Sequence, residues 1–319
     1  MREGHKAKNK NGWNISFVTL RTPVILLLIF LGIGIWRTMA TGKSFFLFNF
    51  GYIGAAIALG SFLNHALPKK QILWGRRISQ ILIASYLLGY VGFTLRENMQ
   101  IEGFFFYLLM GVFAAATLHY FIAKVVGTFA LNRGWCGWAC WTAMVLDLLP
   151  WRQPKEGRLR RWGAVRYVHF TLSLGLVLFV WFGLGGPETY VRESMVEVYW
   201  LAAGNVLYYA VGITLAIVLQ DNRAFCKYVC PIPVVQKIGA RFAAWRIKID
   251  PDKCIDCGIC EKNCPMNIQL MAYKDANQRI LSTECILCFT CSNVCPKDAV
   301  TSTLGFDMVR EEHLRYKDE

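Results

Sequence analysis

Charged residues are scarce in this chain, and acidic residues are the scarcest. Of 319 residues only 18% are charged, with 21 Asp and Glu against 35 Lys and Arg, while 55% are hydrophobic. A soluble domain of this size would need a more polar surface, so the composition favours a protein that folds in the lipid bilayer. A small-residue cleavage site is also missing behind the basic start, so we expect no cleaved signal peptide.

Long apolar runs mark about six candidate membrane helices. They cover residues 22–36, 45–67, 78–95, 104–126, 165–184 and 198–219. The first run is shorter than a typical membrane helix, although Arg21 and Arg37 at its ends could extend towards the lipid head groups. We therefore predict an α-helical integral membrane protein.

Lysine and arginine are scarce in alternate loops. They cluster before the first run, between the second and third, and between the fourth and fifth, at Arg2, Lys6, Lys8, Lys10, Lys69, Lys70, Arg76, Arg77, Arg133, Arg152, Lys155, Arg158, Arg160 and Arg161. The positive-inside rule then predicts that both ends of the chain lie in the cytoplasm of a bacterial or archaeal cell. This placement accounts for the net charge of +14 without nucleic acid as a partner. The cysteines fall on the same side, where structural disulfides are not expected.

Eight of the 12 cysteines form two runs, "CIDCGICEKNCP" at 254–265 and "CILCFTCSNVCP" at 285–296. Each reads Cys-x2-Cys-x2-Cys-x3-Cys-Pro, the spacing typical of a ferredoxin with two 4Fe-4S clusters, in which the fourth cysteine of each run binds the other cluster. A zinc ribbon is the alternative, but two tandem four-cysteine runs fit two clusters better. The predicted ligands are Cys254, Cys257, Cys260 and Cys295 for one cluster, and Cys285, Cys288, Cys291 and Cys264 for the other.

The remaining four cysteines lie in a repeated motif. "NRGWCGWACW" at 132–141 and "NRAFCKYVCP" at 222–231 align position by position with an offset of 90 residues. Each motif follows a pair of predicted membrane helices, which indicates an internal parallel repeat. Parallel repeats tend to pack around an axis along the membrane normal, which would bring Cys136, Cys140, Cys226 and Cys230 to one point.

Three interpretations of these four thiols remain open. They could bind a third iron–sulfur cluster at the membrane surface, form a redox-active dithiol or disulfide, or serve as a closed zinc site or as structural thiols. Arg133, Arg223 and Lys227 could raise the potential of such a cluster by offsetting its negative charge, or they could simply be basic anchors at the membrane surface.

These features divide the chain into four parts. Residues 1–75 contain the N-terminal segment and an extra helix pair, and residues 76–162 and 163–247 contain the two repeats. The second repeat ends in an amphipathic tether at the membrane surface over 231–250. Residues 248–319 form a cytoplasmic α+β ferredoxin-like domain.

Attachment of a ferredoxin domain to membrane helices implies that its electrons enter or leave at the bilayer. A quinone is the obvious lipid-soluble substrate, and His65, His119 and His169 are candidates for a quinone site because they fall in the cytoplasmic halves of predicted helices. For each histidine alone, an ordinary hydrogen bond between helices is an alternative role, as is haem binding.

The tandem Cys-x3-Cys motifs and tandem ferredoxin runs resemble the NapH-like membrane polyferredoxins over about residues 76–300. This resemblance implies a quinol dehydrogenase subunit that passes electrons through its clusters to another redox subunit or a cytochrome. Two features differ from the family: Trp141 follows Cys140 where proline is usual, and about six helices are predicted where four are typical. The extra pair, roughly residues 15–67, suggests a complex other than a nitrate reductase.

Two other functions fit the same motifs. The chain also resembles the ferredoxins of oxidase assembly, which are thought to reduce copper. It could instead be a passive membrane anchor for a larger redox complex.

Overall fold

The structure is a computed structural model that describes residues 17–68, 71–113, 115–152, 154, 156–189, 194–308 and 311–317. The chain divides into two compact units. The first unit is Met1–Ala84 with Trp138–Cys140, and the second is Ser85–Gly137 with Trp141–Glu319.

The first unit consists mainly of a helical hairpin of α1 (Phe17–Thr41) and α2 (Phe45–Ala66), followed by α3 (Leu73–Ser85), whose last residue begins the second unit. Gly42 ends α1 in a left-handed conformation, with φ of 70°, and its N–H donates to the Thr38 carbonyl over 2.8 Å. The two helices pack closely at Gly54, where an added Cβ would lie 2.6 Å from the Cβ of Phe30. Small residues at such contacts let membrane helices approach each other.

Four helices in the described residues are long and apolar enough to cross a membrane. They are Thr19–Thr41, Phe45–Ala66, Arg161–Gly183 and Met195–Leu219. Large apolar side chains on their outer faces are exposed, such as Met39 at 81% and Val218 at 70%. Such faces are stable against lipid and not against water, so this is a membrane protein.

The other two predicted membrane helices are interrupted. Helix α3 passes into a π-helix at Tyr86–Thr94, and the next predicted span is divided into α4 (Ile101–Leu109), α5 (Ala115–Tyr120), a π-helix (Phe121–Val126) and α6 (Gly127–Leu131). Hydropathy does not reveal these breaks, because the side chains stay apolar where the backbone leaves the α-helical pattern. Six spans therefore remain a prediction, of which four are long apolar helices.

Buried polar groups stabilise the loop between the first π-helix and α4. The Glu197 carboxylate accepts hydrogen bonds from the Asn98 N–H at 2.9 Å and from the Tyr107 hydroxyl. The Asn98 side chain accepts from the Gln100 N–H at 3.0 Å, and all of these side chains are buried. Irregular backbone is tolerated at membrane depth only where protein groups satisfy it in this way.

Two long helices, several short helices and one small sheet complete the second unit. The helices are α7 (Gly134–Trp138), α8 (Trp141–Leu146), a 3-10 turn (Arg161–Ala164), α9 (Val165–Gly183), α10 (Gly186–Thr189), α11 (Met195–Leu219), α12 (Ala224–Tyr228), α13 (Ile232–Ala240), α14 (Ile259–Lys262), α15 (Leu270–Asp275) and α16 (Thr290–Val294). Strands β1 (Trp245–Ile249) and β2 (Val300–Leu304) pair antiparallel, from Trp245 opposite Leu304 to Ile249 opposite Val300. This sheet joins the two ends of the segment that contains the cysteine runs.

The predicted tether folds as α13 and β1. Ile238 and Phe242 on one face are exposed, while Gln236 and Gly239 are buried. Arg246 is buried as well, and its guanidinium donates to the carbonyls of Ala243, Leu281, Ala240 and Arg241 over 2.9–3.0 Å. Arg246 thus supports the fold of the second unit.

Candidate functional site

Two cavities separate the eight cysteines of the ferredoxin runs into two sets of four. The first encloses about 340 Å³ of space, part of it open to solvent, and its cysteines are Cys254, Cys257, Cys260 and Cys295. The second encloses about 390 Å³, and its cysteines are Cys264, Cys285, Cys288 and Cys291. These are the two sets that the spacing predicts, with the fourth cysteine of each run in the other cavity. Ligation itself stays a prediction.

The two cysteine loops have the same backbone form. In the first run Asp256 and Gly258 have φ of 52° and 65°, and in the second run the matching Leu287 and Phe289 have φ of 47° and 56°. Glycine adopts this left-handed conformation without steric cost, whereas Phe289 adopts it against its preference. Loops with left-handed residues turn successive N–H groups to one side, as in many anion and iron–sulfur sites.

The chemistry of these cysteines fits a cationic metal centre. Burial raises the pKa of the Cys260 and Cys264 thiols to about 11 and that of Cys285 to about 12. Iron supplies the positive charge that such buried thiolates need. Within the described ranges, no three His, Cys, Asp or Glu side chains are close enough to hold a single metal ion. The thiols instead surround the two cavities.

The two repeated motifs contact each other in the second unit. Arg223 of the second motif donates from Nη1 to the Cys136 carbonyl of the first motif at 2.9 Å and to Cys226 Sγ at 3.9 Å. Its Nε and Nη2 bind the two Asp147 carboxylate oxygens at 2.7 and 2.6 Å. Burial raises the pKa of Cys226, while Arg223 partly offsets this increase.

Arg133 lies among the motif cysteines. Burial opposes its charge, but Glu284 and the sulfur atoms of Cys136, Cys226 and Cys230 raise its pKa above the usual value. Its Nε and Nη2 are buried without a hydrogen-bond partner among the described residues. The Cys136 thiol donates to Gln236 Oε1 at 3.1 Å, and Gln236 Nε2 likewise has no partner in the described part of the chain. The N–H groups of Arg133 and Gln236 that have no partner among the described residues suit a bound anionic group.

Cys140 belongs to the first unit. It is partly buried, and its carbonyl accepts a hydrogen bond from Gln80 Nε2 at 3.4 Å. Its predicted association with the other three motif cysteines therefore rests on the sequence repeat alone.

Glu284, which precedes Cys285, is buried and pairs with four cations. Its carboxylate oxygens lie 2.6–2.9 Å from the terminal nitrogens of Arg133, Arg158, Arg166 and Lys237. Burial raises the pKa of Glu284, but these four cations lower it by more than burial raises it. The net pKa therefore lies well below the usual value. We name these five residues the Glu284 cluster. Sequence analysis missed it because the partners are far apart along the chain, and the position of Glu284 beside a predicted ligand was the only signal.

Each motif also contacts the ferredoxin region directly. In the first motif Asn132 Nδ2 donates to the Ser282 carbonyl at 3.0 Å, and the Arg133 N–H donates to the Cys285 carbonyl at 3.3 Å. In the second motif buried Lys227 pairs with Asp221 at 2.5 Å and with Asn267, which follows Cys264 by three residues. Arg133, Arg223 and Lys227 are therefore buried partners in the fold and not basic anchors at the surface.

The three candidate histidines have different environments. His65 lies in the first unit, where Nδ1 contacts the Ser61 carbonyl at 2.7 Å. His119 is buried in the second unit. His169 is half-buried, and its Nδ1 lies 2.8 Å from the carbonyl of Val229, the neighbour of Cys230.

Family models match both cysteine-bearing regions. A 4Fe-4S dicluster domain matches residues 246–296, and a 4Fe-4S binding domain matches twice, over residues 103–158 and 204–250. The two matches of the second model each include one Cys-x3-Cys motif. The chain thus contains iron–sulfur binding domains in its C-terminal region and around both motifs. No solved structure matches the chain.

Several relatives share much of the chain. Uncharacterized protein MJ0749 of Methanocaldococcus jannaschii is 30% identical over 246 residues, which cover 75% of this chain and 90% of that protein. The ferredoxin-type protein NapH of Haemophilus influenzae is 27% identical over 55% of this chain and 64% of its own length. The methylamine utilization ferredoxin-type protein MauN of Paracoccus denitrificans is 29% identical over 51% of this chain and 60% of its own length. With its tandem motifs and dicluster region, the chain belongs to the NapH-like family of membrane polyferredoxins.

Proposed function

We propose that this protein exchanges electrons between the membrane quinone pool and a redox partner through 4Fe-4S clusters. Iron–sulfur electron transfer follows from the family, and the quinone, the number of clusters and the partner are our proposal. The observation that carries it is that the two four-cysteine cavities, Cys136 of the first motif and both cysteines of the second motif lie in one unit with the apolar helices α9 and α11.

A third cluster at the motif cysteines is part of this proposal. Arg133 Nε and Nη2, buried and without a hydrogen-bond partner among the described residues, support it, because a cluster with four thiolate ligands carries net negative charge. Cys136, Cys226 and Cys230 would supply three ligands, and the repeat assigns the fourth to Cys140. Bound clusters would supply one-electron transfer, and the protein would position them and set their potentials through charge, burial and hydrogen bonds.

The orientation follows the positive-inside rule. We propose that both termini and the ferredoxin region lie in the cytoplasm, so electrons from the bilayer would leave on that side. The partner would be another redox subunit or a cytochrome in a membrane complex.

Iron and acid-labile sulfide per chain test the number of clusters. Anaerobically purified protein should contain about twelve irons, and the Cys136→Ser/Cys226→Ser double variant about eight. Cys257→Ser, with a change at one thiol of the first cavity, should also lose about four irons and serves as a matched comparison. About eight irons in both wild type and the double variant would contradict the third cluster.

Electron exchange with quinone is tested separately. Menadiol added anaerobically to the oxidised protein should reduce the clusters, as followed by electron paramagnetic resonance. Clusters that dithionite reduces and menadiol does not would contradict the quinone part of the proposal.

A further inference from the structure

His169 connects the lipid-facing side of α9 with the second cysteine motif. One ring edge faces the motif, where Nδ1 lies 2.8 Å from the Val229 carbonyl. The ring packs edge-to-face against Tyr208, with centroids 5.6 Å apart, and Tyr208 packs against Phe225 at 5.1 Å. Cys230 packs against the same group of buried side chains. The imidazole therefore contacts the residue that precedes Cys230, a predicted cluster ligand.

The hydrogen bond at Nδ1 defines which nitrogen of the neutral ring carries the proton. The Val229 carbonyl can only accept, so Nδ1 carries the hydrogen, and Nε2 of the neutral imidazole is then an acceptor. Within the described residues Nε2 makes no hydrogen bond. The group that suits it is a donor such as a hydroxyl.

The surroundings of His169 are open to lipid on the other side. His169 is half-buried, and its helix neighbours Val168 and Leu172 are 57% and 66% exposed. One turn earlier, buried Arg166 pairs with Glu284 at 2.9 Å, so this part of α9 also touches the ferredoxin region. His119 is buried, and His65 belongs to the first unit, so His169 best combines access from lipid with proximity to a motif.

We propose that His169 Nε2 accepts a hydrogen bond from the hydroxyl of a quinol head group that enters from the bilayer beside Cys230. This inference rests on the proposed exchange of electrons with quinone, and it identifies where the reduced form binds. The tautomer favours quinol over quinone, because quinol has a hydroxyl to donate and quinone has only acceptors.

Paired ligands test this hydrogen bond. The dissociation constants of menadiol and of menadiol dimethyl ether, which lacks the hydroxyls, are measured anaerobically by tryptophan quenching on dithionite-reduced holoprotein, so that no electron transfer accompanies binding. Wild type should bind menadiol about threefold to tenfold more tightly than the ether, the range of one net hydrogen bond. His169→Ala should bind both ligands equally, and His169→Gln, whose amide oxygen can accept, should recover part of the preference.

His313→Ala is the matched control, because His313 packs against Tyr273 of the ferredoxin region and not against α9, and it should keep the wild-type preference. Iron content measured on each variant checks that the fold is intact. An unchanged preference in His169→Ala, or equal binding of both ligands by wild type, would overturn the assignment of His169. Wild type that binds neither ligand would instead contradict the quinone part of the proposed function.

Discussion

Glu284 shows how one buried carboxylate can hold distant parts of a chain together. Its four cations come from the first motif, from the segment before α9, from α9 and from α13. A buried ion pair adds little stability over apolar packing, but removal of one partner leaves charges unpaired in a low-dielectric site. At Glu284 such a removal would leave four cations without their common anion.

Replacement of Glu284 by glutamine should therefore destabilise the protein strongly. We expect a loss of about 3–5 kcal/mol in the free energy of unfolding, measured by chemical denaturation in detergent. Glu311→Gln is the control, because the Glu311 side chain is 80% exposed and its substitution should change stability by less than about 0.5 kcal/mol. Equal stability of the two variants would contradict a structural role for the Glu284 cluster.

For single residues, the sequence predicts the grouping of the cysteines better than it predicts the side chains around them. The grouping of eight cysteines follows from spacing, because three cysteines of each set lie within one short loop. Gln236 and Lys237 gave no such signal, since their partners Cys136 and Glu284 are far away in sequence and no local pattern encodes the contacts.

At the scale of elements, the short helix α7 packs directly on the second cysteine loop. A Cβ added at Gly137 would overlap the carbonyl oxygen of Ile286, which is the residue after Cys285. No side chain fits between these two backbones, so the glycine sets the distance between the first motif and the loop of the second cavity.

Gly137→Ala should push this loop away from α7. Overpacking of this kind costs about 1–3 kcal/mol in the free energy of unfolding, and the magnetic spectrum of the cluster that we propose at that loop should change. Gly175→Ala in α9 is the matched control, because nothing lies within 4 Å of its Cβ and alanine favours a helix by about 1 kcal/mol. A Gly137→Ala protein as stable as wild type, with an unchanged spectrum, would be inconsistent with this contact.

Helix boundaries were harder to predict than helix positions. The runs at 45–67 and 198–219 correspond closely to α2 and α11, because a long uniform apolar segment leaves little choice of structure. The runs at 78–95 and 104–126 contain π-helical turns and breaks that depend on buried partners such as Glu197, which lies about one hundred residues away.

At the scale of the whole molecule, the two units depend on different interactions. The α1 and α2 hairpin of the first unit is held by close apolar contacts such as Gly54 with Phe30. The second unit is built around cysteine-lined cavities, ion pairs and a two-stranded sheet. The eight cysteines of the two cavities, which we predict to bind iron, all lie in the second unit.

Removal of iron should therefore affect the two units unequally. After treatment with acid and a chelator, hydrogen exchange should show lost protection in residues 254–295, because buried thiols without iron no longer hold their loops. Amides of α2 should keep their protection, since no cysteine lies in that helix. Equal loss of protection in both regions would show that the hairpin depends on the clusters.

The exchange of the fourth cysteines between the two cavities has a consequence for biosynthesis. With this pairing, the first set of four is incomplete until Cys295 leaves the ribosome, and the second needs both Cys264 and Cys291. By then the apolar helices up to Leu219 have long been available for insertion. If these cysteines bind the clusters, we expect the machinery that delivers iron and sulfide to work on a chain already anchored at the membrane.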